Sequence, residues 1–144
     1  MDGNILIIDS FTGDYSFLSN FYSCKINYNG FIYLNTEAAF QAQKTLDRDI
    51  QKQFTNLNPS QAKKLGRKIP LRKDWEEIKD TVMYEVCKVK FNLPELKEKL
   101  IATQDAQLVE GNTWNDRYWG MCNGYGKNQL GKILMKIREE LQPN

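Results

Sequence analysis

The sequence predicts an α+β fold: a mostly helical single domain over residues 1–144, with a small antiparallel sheet contributed early. Three observations carry this reading. Two β-favouring runs, residues 24–29 and 31–35, flank Asn29-Gly30, a dipeptide that tolerates the positive φ angles of a tight hairpin. Between Trp75 and Phe91 the residues Ile78, Val82, Met83, Val86, Cys87 and Val89 recur at helical spacing. Near the C-terminal end, Leu130, Ile133, Leu134, Ile137 and Leu141 form a core-facing helical stripe. A chain of this length buries roughly 70% of its unfolded surface, enough for a core without disulfides or metals.

The elements follow in order. Residues 4–9 (NILIID) read as a short strand, and the hairpin comes next. Thr36 is placed to cap a helix running to about Leu46. On it, Glu37, Gln41 and Lys44 line one face within about 40° of one another, while Ala38, Ala39, Ala42 and Leu46 supply packing surface. Asn58-Pro59 combines a cap with proline at the first helical position, and Gly66 is a stop signal. Asp74 or Trp75 opens the long helix. Pro94 opens a shorter one with Leu96 and Leu100 inward, and Asn128 caps the last. Nine aromatics lie within residues 11–40 (Phe11, Tyr15, Phe17, Phe21, Tyr22, Tyr28, Phe31, Tyr33, Phe40); most are expected in the core, with one or two available to stack on a base.

Composition narrows the chemistry. Lys+Arg 20 against Asp+Glu 18 leaves +2, so bulk charge recruits neither nucleic acid nor membrane. No run of about 18 apolar residues is present, and the N-terminus carries acid first, unlike a secretory leader. Three scattered cysteines without a CxxC read as reduced residues of a cytoplasmic protein. Histidine is absent, which removes His-based triads and His-ligated metal sites. Proton transfers fall to Asp, Glu, Lys, Tyr or Cys, and neither metal nor cofactor is expected.

Candidate chemistry sits in three further places. The Glu37/Gln41/Lys44 stripe faces either a pocket or plain solvent, since unpaired buried polar groups are costly. Residues 115–128 contain Gly120, Gly124 and Gly126, with Asp116 at the entrance between polar and aromatic neighbours; the following helix offers free N–H groups to an anion. The plain alternative is a glycine-rich connection whose aromatics plug the core. Lys63, Lys64, Arg67, Lys68, Arg72 and Lys73 place six cations in eleven positions without an acid, suited to phosphate or to a solvated face.

The ordered motifs FLSNF (17–21), ExxFQAxK (37–44), RxDW (72–75), DxxWG (116–120) and NxLGxxLMxxR (128–138) together resemble the NADAR (YbiA-like) family of N-glycosidases, from about Phe11 to Leu141. The resemblance implies a compact helical domain with a small sheet and hydrolysis of a bond between ribose C1 and nitrogen. It implies Glu37, Lys44, Trp75 and Asp116 as pocket residues, with Asn20, Trp119 and Gly120 as supports. Two features depart from the family: Ala38 stands where members usually carry histidine, and nothing before Lys25 is basic. Phosphate is therefore assigned to Arg67, Arg72, Lys127 or loop amides.

Cleavage of an N-glycosidic bond builds positive charge at C1, which a carboxylate stabilises without metal or histidine. Glu37 or Asp116 positions water while the other stabilises C1 or assists the leaving nitrogen, and Trp75 stacks on base or ribose. A second route runs through a Schiff base on Lys44. Two substrates stay open: a ribosylamino-pyrimidine phosphate of riboflavin biosynthesis, and ADP-ribosyl-guanine, the latter making ADP-ribosylated nucleic acid a possible partner. The rival from another class is a non-catalytic module binding ADP-ribose or a related nucleotide; a third reading is an interaction protein using the basic run on nucleic acid.

Overall fold

A computed structural model describes residues 6–142 of the chain. It is α+β and mostly helical, with an antiparallel hairpin and a parallel strand pair. The chain divides into two compact units, Asn20–Asn92 and the described part of Met1–Ser19 with Leu93–Asn144.

In the central-segment unit, β2 (Ser23–Tyr28) and β3 (Phe31–Asn35) pair antiparallel, with Ile26 opposite Tyr33 and Tyr28 opposite Phe31. Asn29 and Gly30 turn the chain at φ 51° and 87°, the primed geometry that matches strand twist. Strand β3 runs straight into α1 (Thr36–Ala42). The cap is Asn35 rather than Thr36: Asn35 is extended, and its Oδ1 accepts from Ala38 N at 2.7 Å. The helix also ends earlier than expected, because Gln43 N and Lys44 N turn to the Phe40 and Gln41 carbonyls, three residues back. Leu46 consequently lies outside α1 and is 69% exposed, not a packing residue.

A helix that periodicity missed, α2 (Arg48–Gln53), is capped by Asp47 and passes into a 3₁₀ turn, Phe54–Asn56. The capping box of Asn58 and Gln61 opens α3 (Pro59–Gly66). Then comes α4 (Trp75–Phe91), which buries Trp75, Val82, Met83, Val86, Cys87, Lys90 and Phe91. Helix α1 packs against β3, α3 and α4, and every residue of it is buried.

In the terminal-segment unit, β1 (Ile7–Ile8) pairs parallel with β4 (Gln107–Leu108). The expected strand began earlier; its Asn4 and Ile5 lie outside the described residues. A 3₁₀ helix, Gly13–Leu18, buries Phe17 and Leu18 beside α5 (Pro94–Ile101), which turns Leu96 and Leu100 inward. Helix α6 (Gln129–Leu141) buries Leu130, Gly131, Leu134, Ile137 and Arg138; Ile133 and Leu141 are only partly covered. Gly131 is needed for space, since a Cβ there would sit 2.1 Å from the Leu108 carbonyl oxygen.

The early aromatics are less buried than expected. Phe11, Phe17, Tyr33 and Phe40 are core, but Tyr15 and Phe21 are exposed and the others lie between. Cys24, Cys87 and Cys122 are free thiols. Among the described residues no helix is long and apolar enough to cross a membrane.

Candidate functional site

The polar stripe of α1 does not face solvent. Glu37 and Gln41 are 8% and 6% exposed. One helical turn separates them, and Gln41 Nε2 donates to Glu37 Oε2 at 2.7 Å. The Glu37 amide donates to the Asn20 carbonyl at 3.1 Å. Asn20 is itself tied to α4, donating to Met83 Sδ at 3.3 Å and accepting from Cys87 Sγ at 3.8 Å. Asn20 thus supports the first turn of α1 through both backbone and side chain.

Lys44 follows the end of α1, with its carbonyl accepting from Arg72 N at 2.8 Å. Burial pushes its ammonium below the ordinary lysine value; the Glu37 carboxylate opposes that, and Arg67, Lys63 and Lys79 add to it. A carboxylate and an amine that loses its proton more easily than usual therefore share one electrostatic neighbourhood.

Trp75 opens α4 and is 4% exposed, its ring tilted 54° against Phe40 at 5.1 Å. Arg72 turns its guanidinium onto Asp74, with Nε and Nη2 donating to the two carboxylate oxygens at 2.6 and 3.0 Å. Those hydrogen bonds hold the Asp74 carboxyl below its ordinary range. Lys64, Arg67, Lys68 and Lys73 are exposed, so much of the basic run is a solvated surface.

Asp116, Trp119 and Gly120 lie in the terminal-segment unit. Asp116 Oδ1 accepts from the Tyr118 and Trp119 amides at 3.1 and 3.0 Å, a local turn closed by its own side chain. Asn112, which sequence reasoning missed, clamps Asp116 from both sides: its Oδ1 accepts from Asp116 N and its Nδ2 donates to Asp116 O, at 3.0 and 2.9 Å. An asparagine four residues ahead of an aspartate in an irregular stretch was the available signal. Gly120 is glycine because a Cβ would lie 2.0 Å from the Glu110 carbonyl oxygen.

Two expectations about this loop are corrected. Asn128 does not cap α6 with its side chain: it adopts φ 54°, and its Oδ1 and Nδ2 pair instead with Glu110 N and the Leu108 carbonyl at 3.0 and 2.9 Å. Nor are the first amides of α6 open to an anion. Those of Gln129 and Leu130 donate to the Tyr118 and Trp119 carbonyls at 3.0 and 2.9 Å, because the loop folds back over the helix end.

Comparison with known proteins sets this geometry in context. A family model described as the NADAR domain matches residues 9–142. The chain is 41% identical over 146 residues to N-glycosidase YbiA of Shigella boydii, covering 98% of this chain and 91% of the relative. It is 38% identical over 135 residues to a riboflavin biosynthesis protein of Vibrio vulnificus, covering 90% of this chain and 36% of that protein. The NMR structure of the E. coli protein YbiA superposes with a TM-score of 0.84 at 40% identity, covering 98% of this chain and 86% of the other.

Proposed function

The chain belongs to the NADAR family, and from that premise we propose that it is an N-glycosidase that hydrolyses the bond between ribose C1 and nitrogen in a ribosylated compound. The observation that carries the reading is the buried Glu37 carboxylate, hydrogen-bonded by Gln41 and electrostatically coupled to Lys44. The substrate we favour is a ribosylamino-pyrimidine phosphate, supported by a relative whose name assigns it to riboflavin biosynthesis.

As the C1–N bond lengthens, its electron pair leaves with nitrogen and C1 becomes oxocarbenium-like. The Glu37 carboxylate stabilises that charge and takes a proton from the water that adds to C1, and that proton passes to the departing nitrogen. The low-lying ammonium of Lys44 serves this in one of two ways. It stabilises negative charge on the substrate, or as free amine it attacks C1 of the ring-opened ribosyl group and displaces the nitrogen base, which leaves carrying a proton, giving a Schiff base that water later hydrolyses. Trp75 and Asn20 hold the scaffold around Glu37, and Arg67 with Arg72 supplies positive charge for phosphate. Asp116, Trp119 and Gly120 enter the reading through their own loop. Asp116→Asn tests this cleanly, because asparagine Oδ1 can still accept the two amides that Asp116 holds. The whole chain acts as one NADAR domain in this reading, in the cytoplasm, where its three thiols stay reduced.

A second substrate, ADP-ribosyl-guanine in nucleic acid, is favoured by one observation: Lys64, Arg67, Lys68 and Lys73 are exposed within ten positions. Product analysis by mass spectrometry decides. The chain is incubated with a ribosylamino-pyrimidine phosphate and, separately, with ADP-ribosyl-guanine in an oligonucleotide. Release of free pyrimidine or guanine identifies the substrate, and Glu37→Gln should lower that rate by about a thousandfold. Thermal stabilisation by ADP-ribose with no product from either would replace the enzyme with a nucleotide-binding module.

A further inference from the structure

We propose that Gln41 and Gly66 form a positioning pair for Glu37: Gly66 leaves the space in which the Gln41 carboxamide lies, and that placement directs its NH₂ onto the Glu37 carboxylate. The inference rests on the role given to Glu37 above and adds the device that orients it.

The geometry is specific. A carboxylate can only accept, so Gln41 presents Nε2 to it, at 2.7 Å. Its other atom, Oε1, is buried with no hydrogen-bond partner. A buried acceptor without a partner is disfavoured, so packing must hold the amide in this orientation. Gly66 leaves the room that this orientation needs. A Cβ built there would fall 2.0 Å from Gln41 Oε1 and 2.8 Å from its Cδ. Nothing in the backbone demands glycine, since Gly66 is the last residue of α3 and its φ is not positive. Alanine is the better helix former at such a position. Space for the Gln41 amide is what glycine provides.

The groups around Glu37 come from several elements. Lys44 follows α1, Cys87 lies on α4, and Lys63, Arg67 and Lys79 act on Lys44 from α3, the residue after it, and α4. Gln41 contributes a neutral donor. Removing it takes a hydrogen bond from the charged form of Glu37 and makes protonation easier.

The test uses Gln41→Leu, Gln41→Ala, Gly66→Ala and the double variant Q41A/G66A in the full chain. The midpoint for protonation of the Glu37 carboxyl is read by ¹³C NMR, with Glu37→Gln identifying the signal. That midpoint should move to higher pH in Q41L and in G66A. G66A should still fold, because the Gln41 side chain can swing away. On the ribosylamino-pyrimidine phosphate, Q41L and G66A should each lower kcat by about tenfold to a hundredfold. The acid limb of the rate profile should rise in pH while KM is unchanged. The double variant should match Q41A alone, since glycine matters only through Gln41. An unmoved midpoint in Q41L or G66A overturns the pair, as does a double variant worse than Q41A. The NMR readout needs no turnover, so it judges the pair even if the substrate proves wrong. A fully active E37Q would sink the glycosidase role of Glu37 while leaving the pair to the NMR result.

Discussion

Lys90 is wholly buried in α4, with its Nζ 5.5 Å from the centre of the Tyr22 ring and 5.0 Å from that of Phe91. Burial lowers its ammonium from 10.5 to about 8, opposed by Cys87 and Cys24. At about 1.4 kcal/mol for each tenfold change in proton affinity, that gap makes the buried charge cost about 3 kcal/mol. Lys90→Met removes the titrating group and keeps most of the volume, so it should remove that part of the pH dependence of stability. The sign of the pH dependence follows from linkage. Below pH 8 both states hold the proton and the full cost is present. Between about 8 and 10.5 the unfolded chain binds the proton and the folded chain does not, so wild-type stability rises with pH. Urea denaturation of both proteins from pH 7 to pH 10.5 measures this. Wild-type stability should rise steadily relative to that of the variant across that window. Parallel stability curves would show that Lys90 does not lose its proton there, and the reasoning would fail.

Further outcomes follow from the same geometry. If the Schiff-base route operates, borohydride added during turnover should trap substrate on Lys44, with yield rising as pH increases, because only the free amine condenses; an unmodified chain during turnover identifies direct hydrolysis. Asn128→Ala should cost about 2–4 kcal/mol by chemical denaturation, because it strands Glu110 N and the Leu108 carbonyl and leaves alanine at a positive φ. Gly120→Ala should lower the melting temperature clearly, since its Cβ meets backbone at 2.0 Å and backbone cannot swing aside as the Gln41 side chain can; a wild-type midpoint would refute the close approach.

The contrast between Gly120 and Gly66 explains much of what was legible in advance. Gly120 sits in DxxWG and Gly66 reads as a helix stop, yet the reason for each glycine lies in another segment: Glu110 for one, Gln41 for the other. The hairpin was readable because Asn29-Gly30 encodes its turn locally, and α4 because its apolar spacing repeats over several turns. Helix α2 escaped notice because it is short and carries little apolar periodicity; its signal was the Asp47 cap. Asn128 carried a helix-cap signal that its neighbours overrode, since the Leu108 and Glu110 backbone groups needed partners more than the end of α6 did.

The amino-acid order alone determined the helical fold with its hairpin, the family likeness and the spacing that sets Glu37 and Gln41 on one helical face. These depend on turn chemistry, periodicity and motif order, all properties of neighbouring residues. Tertiary structure decided whether that face met water or protein. Helix periodicity is identical for a solvated stripe and a buried one; only the packing of α3, α4 and β3 around α1 closes it off. Removal of water is what makes the Glu37–Gln41 hydrogen bond consequential and holds Lys44 below its ordinary proton affinity.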